Sequence, residues 1–116
     1  MSVTIYHNPR CSKSRQTLAL IRDRGIEPEI VEYLRQPPAP DELKRIIQQL
    51  GIPVRDIIRA GEAEYRELGL SDASLDDESL IESICAHPKL LQRPIVVCGE
   101  RARVGRPPEA VEEILP

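Results

Sequence analysis

The sequence predicts an α/β fold in which a small sheet, built from a βαβ unit and a later ββα unit, is interrupted by an all-helical insert. Period-two alternation opens the chain at Val3-Thr4-Ile5-Tyr6 and gives way to a helical period. The β pattern then vanishes over about 40–91, where only helical periods occur. A continuous apolar run, Ile95-Val96-Val97-Cys98, brings it back, as expected of a strand covered on both faces.

Each element has its own signal. His7-Asn8-Pro9-Arg10 reads as a loop after the first strand, because Pro9 keeps Asn8 out of helical geometry. A helix is expected from about Ser12 to Arg24, with Leu18 and Ile21 inward and Gly25 as its stop. Residues 29–33 (Glu-Ile-Val-Glu-Tyr) form a second strand, parallel to the first because a helix connects them. Gln36-Pro37-Pro38-Ala39-Pro40 breaks the pattern. Leu43, Ile46, Ile47 and Leu50 then share one face of an amphipathic helix that ends at Gly51. One or two short helices divided by Gly61 fall within 54–70, and another helix runs from about Asp76 to Ala86, closed by Pro88. After the strand at 94–98, Gly99-Glu100 suits a two-residue hairpin turn into Arg101–Val104. Pro107 then opens a final helix with Ala110, Val111, Ile114 and Leu115 inward. This order is that of a thioredoxin-like sheet, and 1–116 is read as one such domain with its insert at about 40–91.

Composition narrows the function classes. The 116 residues suit one core, and an apolar content of 41% is ordinary for a globular chain. With three Tyr and no Phe or Trp, the core must be aliphatic and stacking on bases is disfavoured. A net charge of −3 without a basic block argues against nucleic acid and anionic membranes as partners. The start of the chain carries no leader-like run and no stretch is long enough to span a bilayer, so a cytoplasmic location is expected. Three cysteines without framework spacing fit a reducing compartment.

Cys11 lies where the first strand meets the first helix. Unpaired N–H groups at a helix start favour a thiolate over a thiol and can also hold an oxyanion. Arg15, one turn on, is expected to add positive charge, and Ser12, Lys13 and Ser14 surround the thiol with donors. His7 could assist ionisation as a nearby cation or could be a satisfied polar loop residue. Two familiar thiol sites are absent. The sixth residue after Cys11 is Thr17 rather than the Arg of a tyrosine-phosphatase loop, and Ser14 stands where a Cys-x-x-Cys pair needs its second thiol. The site is therefore monothiol, and oxidised Cys11 needs an outside thiol or a distant cysteine to resolve it. Cys85 and Cys98 both read as core residues, and no Cys/His spacing supports a metal site.

The string Tyr6-His7-Asn8-Pro9-Arg10-Cys11-Ser12-Lys13-Ser14-Arg15 resembles the active-site signature of the glutaredoxin-coupled arsenate reductase family, in the form typical of its shorter branch. Arg93-Pro94-Ile95-Val96-Val97 and Gly105-Arg106-Pro107-Pro108-Glu109 match that family in order, and the resemblance covers essentially the whole chain. It implies that Cys11 is the nucleophile, that Arg59, Arg93 and Arg106 contact the oxyanion, and that Pro94 is the cis proline facing the cysteine. Apart from the family pattern, each of these arginines reads as a solvated surface residue. The resemblance further implies reduction of arsenate to arsenite, with glutathione as co-substrate, glutaredoxin as partner and no bound cofactor. Two other readings stay open: a monothiol reductase or deglutathionylating enzyme acting on another substrate, and a redox-related regulator that binds RNA polymerase.

Overall fold

The computed structural model describes residues 2–116, which divide into two compact units: the chain up to Gln36 together with Arg93–Pro116, and Pro37–Gln92. The first unit has the thioredoxin-like α/β arrangement, with β1 (Val3–Tyr6), α1 (Ser12–Asp23), β2 (Glu29–Val31), β3 (Ile95–Cys98) and β4 (Arg101–Val104). The strand order is β2-β1-β3-β4. β1 and β2 pair in parallel, as the intervening helix requires, while β3 runs antiparallel to both β1 and β4. Register places Tyr6 opposite Ile95 and Val3 opposite Cys98, so β1 delivers the chain to Cys11 from the end of the sheet where β3 begins.

One face of this sheet is sealed by aliphatic side chains. Val3 and Ile5 of β1, Val96 and Cys98 of β3, Leu18 and Ile21 of α1, and Val111 and Ile114 form a single buried cluster. Burying each large aliphatic side chain contributes about 1.5–3 kcal/mol, which fixes α1 across the strands. The hairpin between β3 and β4 turns on Gly99, whose φ of 62° suits a turn with glycine first; Glu100 keeps a negative φ.

The structure corrects two expectations in this unit. The second strand ends at Val31, and the chain turns at once, with the N–H groups of Arg35 and Gln36 both donating to the Glu32 carbonyl. Tyr33 is buried within that turn rather than extended in the sheet. The final helix is a 3₁₀ segment, Pro108–Glu113, not an α-helix. Its three-residue repeat eclipses positions i and i+3, so Pro108, Val111 and Ile114 fall inward together.

The second unit is helical, as expected of the insert. It comprises α2 (Pro40–Leu50), a 3₁₀ turn at Val54–Ile57, α3 (Ala63–Glu67), α4 (Asp77–Ala86) and a 3₁₀ turn at Pro88–Leu90. α2 starts on Pro40 with Asp41 and Glu42 in its first turn, and ends on Gly51 at φ 68°, whose N–H donates to the Ile47 carbonyl. α4 is capped by Asp76, whose Oδ1 accepts from the Ser79 N–H at 2.8 Å. The two helices pack through buried Leu43, Ile46, Leu80, Ile81 and Ile84. Arg55 ties the α3–α4 connection by donating to the carbonyls of Leu70 (2.8 Å) and Asp72 (2.7 Å).

Gly105 sits in close contact with the first helix and the start of β3. A Cβ there would lie 2.6 Å from Thr17 Oγ1 and 2.8 Å from Pro94 Cγ. Neither neighbour can yield cheaply: Thr17 is tethered to the Lys13 carbonyl at 2.8 Å, and Pro94 is a ring. Gly105→Ala is therefore expected to destabilise the protein by about 1–3 kcal/mol, read as a lower urea midpoint at unchanged slope. An unchanged midpoint would show that α1 and Pro94 can separate freely.

Candidate active site

The site is built on the β1–α1 connection. Pro9 forces an extended Asn8, and the loop closes on itself: the Asn8 carbonyl accepts from the Cys11 N–H at 3.0 Å, and Asn8 Oδ1 accepts from the Arg10 N–H at 3.0 Å. Cys11 is left as the N-cap of α1 in extended geometry (φ −94°, ψ 123°). Its side chain makes no cap bond, so the first N–H groups of the helix remain available to another acceptor.

The field of those N–H groups also falls on the sulfur. Burial pushes the Cys11 thiol up, but the Ser14 N–H, a hydrogen bond and charge from Arg93, and the Lys13 N–H together bring it below the ordinary thiol value. Arg106 adds a further contact, with Nη2 3.5 Å from Cys11 Sγ while its Nε donates to the Arg93 carbonyl at 2.7 Å. One guanidinium thus braces the backbone of the residue that carries the other. Both arginines precede cis prolines, Pro94 and Pro107. Cys11 is only 8% exposed, so an attacking thiolate here is shielded except where a reactant enters.

Ser14 holds the loop in place. Fully buried, its hydroxyl accepts from the Asn8 N–H at 3.1 Å and lies 2.6 Å from His7 Nδ1. Burial lowers the His7 pKa, with Glu32 raising it and Arg22 and Arg15 lowering it further. The His7–Ser14 hydrogen bond and the Asn8 N–H together anchor the loop ahead of Cys11. Arg15 Nη1 donates to the Pro9 carbonyl at 3.0 Å, bracing the loop, while Arg93 and Arg106 are the guanidinium groups that reach the sulfur.

The remaining residues are placed as follows. Arg59 belongs to the helical unit, where it pairs with Glu62 at 2.8 Å and its N–H donates to the Leu90 carbonyl at 2.7 Å. Cys98 is buried at the end of the sheet remote from Cys11, and half-buried Cys85 has its pKa raised by burial, Glu42 and Glu82. Among the described residues no group of His, Cys, Asp and Glu could hold a metal, and no helix is long and apolar enough to cross a membrane. Sequence reading missed two contributors: the Asn8 side chain, whose Asn-Pro pairing is a turn signal, and Gly105, whose role depends on a neighbour distant in sequence.

These assignments generate a direct test. Because the lowered pKa keeps the thiolate present to lower pH, the midpoint of Cys11 alkylation should lie below that of free cysteine measured alongside. Arg93→Ala should move that midpoint upward. A pH profile of iodoacetamide modification followed by mass spectrometry reads both; coincident profiles would remove Arg93 from the set that ionises the thiol.

Comparison with known proteins follows the same outline. The ArsC family model matches residues 6–114. The chain is 50% identical over 114 residues to the uncharacterized protein YfgD of Escherichia coli strain K12, covering 97% of this chain and 96% of that one. It is 50% identical over 116 residues to an arsenate reductase of Rhizobium meliloti strain 1021, covering all of this chain and 83% of the relative. The solved structure of an arsenate reductase from Vibrio cholerae superposes with a TM-score of 0.97 at 55% identity, over 99% of this chain and 98% of the other.

Proposed function

The chain belongs to the ArsC family, and on that premise we propose that it is an arsenate reductase whose nucleophile is Cys11. The observation that carries this reading is the coincidence of a thiolate and an anion cradle. The N–H groups of Lys13 and Ser14, Arg93 and Arg106 converge on one sulfur, and arsenate needs both a soft nucleophile at arsenic and cations at its oxygens.

The chemistry proceeds in balanced steps. Cys11 thiolate attacks As(V), forming an S–As bond as an arsenate hydroxyl takes a proton from solvent and leaves as water. Arg93 and Arg106 neutralise the remaining oxygens while the N–H groups of the helix start hold the developing charge. A glutathione thiolate then attacks arsenic, and a second hydroxyl takes a proton from solvent and leaves as water. Because position 14 is serine, the electron pair comes from outside. A glutaredoxin thiolate attacks the glutathione sulfur, the S–As bonding pair passes to arsenic, and As(III) forms together with a glutathione–glutaredoxin disulfide. Water releases arsenite and restores Cys11. No bound metal, flavin or nucleotide enters these steps.

Coupled NADPH oxidation with glutathione, glutaredoxin, glutathione reductase and arsenate tests the reading. Arsenate-dependent turnover is expected to fall at least a thousandfold in Cys11→Ser, and single Ala substitutions of Arg59, Arg93 and Arg106 should lower kcat/KM for arsenate. A folded protein with a rapidly alkylated Cys11 and no arsenate turnover would overturn arsenate as the substrate.

A further inference from the structure

His7, Ser14 and Thr17 are the buried polar side chains among the described residues. The first two bond each other and hold the loop ahead of the nucleophile. Thr17, fully buried one turn further along α1, has no part in the reductase steps. Its surroundings ask only for a compact, β-branched shape. A Cβ at Gly105 would lie 3.2 Å from Thr17 Cγ2 and 2.6 Å from Oγ1, with the Pro94 ring against the same point. Valine has that shape as well, and a hydroxyl taken out of water is costly unless it is bonded. The hydroxyl therefore calls for its own explanation.

Thr17 Oγ1 donates to the Lys13 carbonyl at 2.8 Å. That carbonyl and the Ser14 N–H belong to one planar peptide group. Ser14 is the third residue of α1, and the helical bonds begin after it, where the Arg15 N–H donates to the Cys11 carbonyl at 3.0 Å. The Ser14 N–H is thus one of the donors that the helix leaves unused, at the position from which an N–H reaches the N-cap side chain. Here that side chain is Cys11, whose ionised form the Ser14 N–H favours. Hydrogen bonds linked through a peptide polarise one another, the more so where water is excluded. A proton donated to the carbonyl oxygen draws electron density from the amide nitrogen and leaves its N–H a stronger donor. The same bond restrains the peptide plane and with it the direction of that N–H.

We propose that Thr17 is a positioning residue for the nucleophile: through the Lys13–Ser14 peptide, its hydroxyl aims and strengthens the N–H that faces the Cys11 sulfur. Thr17 itself touches no reactant. The inference rests on Cys11 as the nucleophile and holds for any substrate of that sulfur, arsenate or another.

Three variants separate the hydroxyl from the packing. Thr17→Val keeps the branched shape and loses the hydroxyl, Thr17→Ser keeps the hydroxyl and loses the methyl, and Thr17→Ala loses both. Iodoacetamide modification of Cys11 across pH, read by mass spectrometry with free cysteine alongside, compares them with the native chain. The midpoint is expected to rise by about 0.3 pH unit in Thr17→Val and Thr17→Ala, roughly a twofold loss of thiolate below it. In Thr17→Ser it should stay at the native value. Packing alone predicts the reverse order, because serine lacks the methyl that meets Gly105 and valine retains it. A midpoint that moves in Thr17→Ser and not in Thr17→Val would therefore overturn the proposal, as would equal shifts in all three variants or in none. Should Thr17→Val fail to fold, Thr17→Ala against Thr17→Ser decides the same question. A native midpoint no lower than that of free cysteine would overturn the nucleophile reading and this inference with it. The expected order in a protein inert to arsenate would uphold Thr17 and overturn the substrate alone.

Discussion

A sulfur placed where a helix begins governs the rest of the sheet unit. The first turn of α1 has N–H groups that no backbone carbonyl can satisfy, and Cys11 at the N-cap offers them a sulfur that is a far better acceptor ionised than protonated. Burial opposes this, since a charged sulfur 8% exposed loses most of its hydration. The Ser14 N–H, Arg93 and the Lys13 N–H outweigh that loss, and Arg106 stands 3.5 Å from the sulfur. Each surrounding feature serves one side of that balance: the loop holds the sulfur at the helix axis, and the strand edges hold the guanidinium groups.

Ser14 has a larger part than its neighbours in sequence suggest. Its backbone N–H stabilises the sulfur while its hydroxyl joins Asn8 to His7, so one residue couples the electrostatics of the helix start to the shape of the loop. A second cysteine at this position would donate far more weakly to His7 and would convert the site to dithiol chemistry.

The fold was largely legible because its signals are local. Alternation over Val3–Tyr6, the glycines at 25, 51 and 99 and the apolar run at 95–98 each act within a few residues, and the elements follow. Tyr33 misled because its β propensity is real while its fate is set by the turn at Glu32. The 3₁₀ form of the last helix was hidden because Val111 and Ile114 fit either period over six residues. At the site, the place of Cys11 at the start of the first helix was legible from the order of the elements. The roles of His7 and Arg15 were not, since both depend on which partner a side chain turns towards: Ser14 Oγ for one and the Pro9 carbonyl for the other.

Gly105 shows how closely packing and reactivity are joined in this molecule. It lies between Thr17, six residues along from the nucleophile, and Pro94, whose neighbour Arg93 reaches the sulfur; the next residue, Arg106, reaches it too. The absence of one methyl group at position 105 therefore sets the spacing between a helix and the segment that carries Arg93. A side chain at this one position would press on the helix that starts at Cys11 and on the segment that carries Arg93 at the same time.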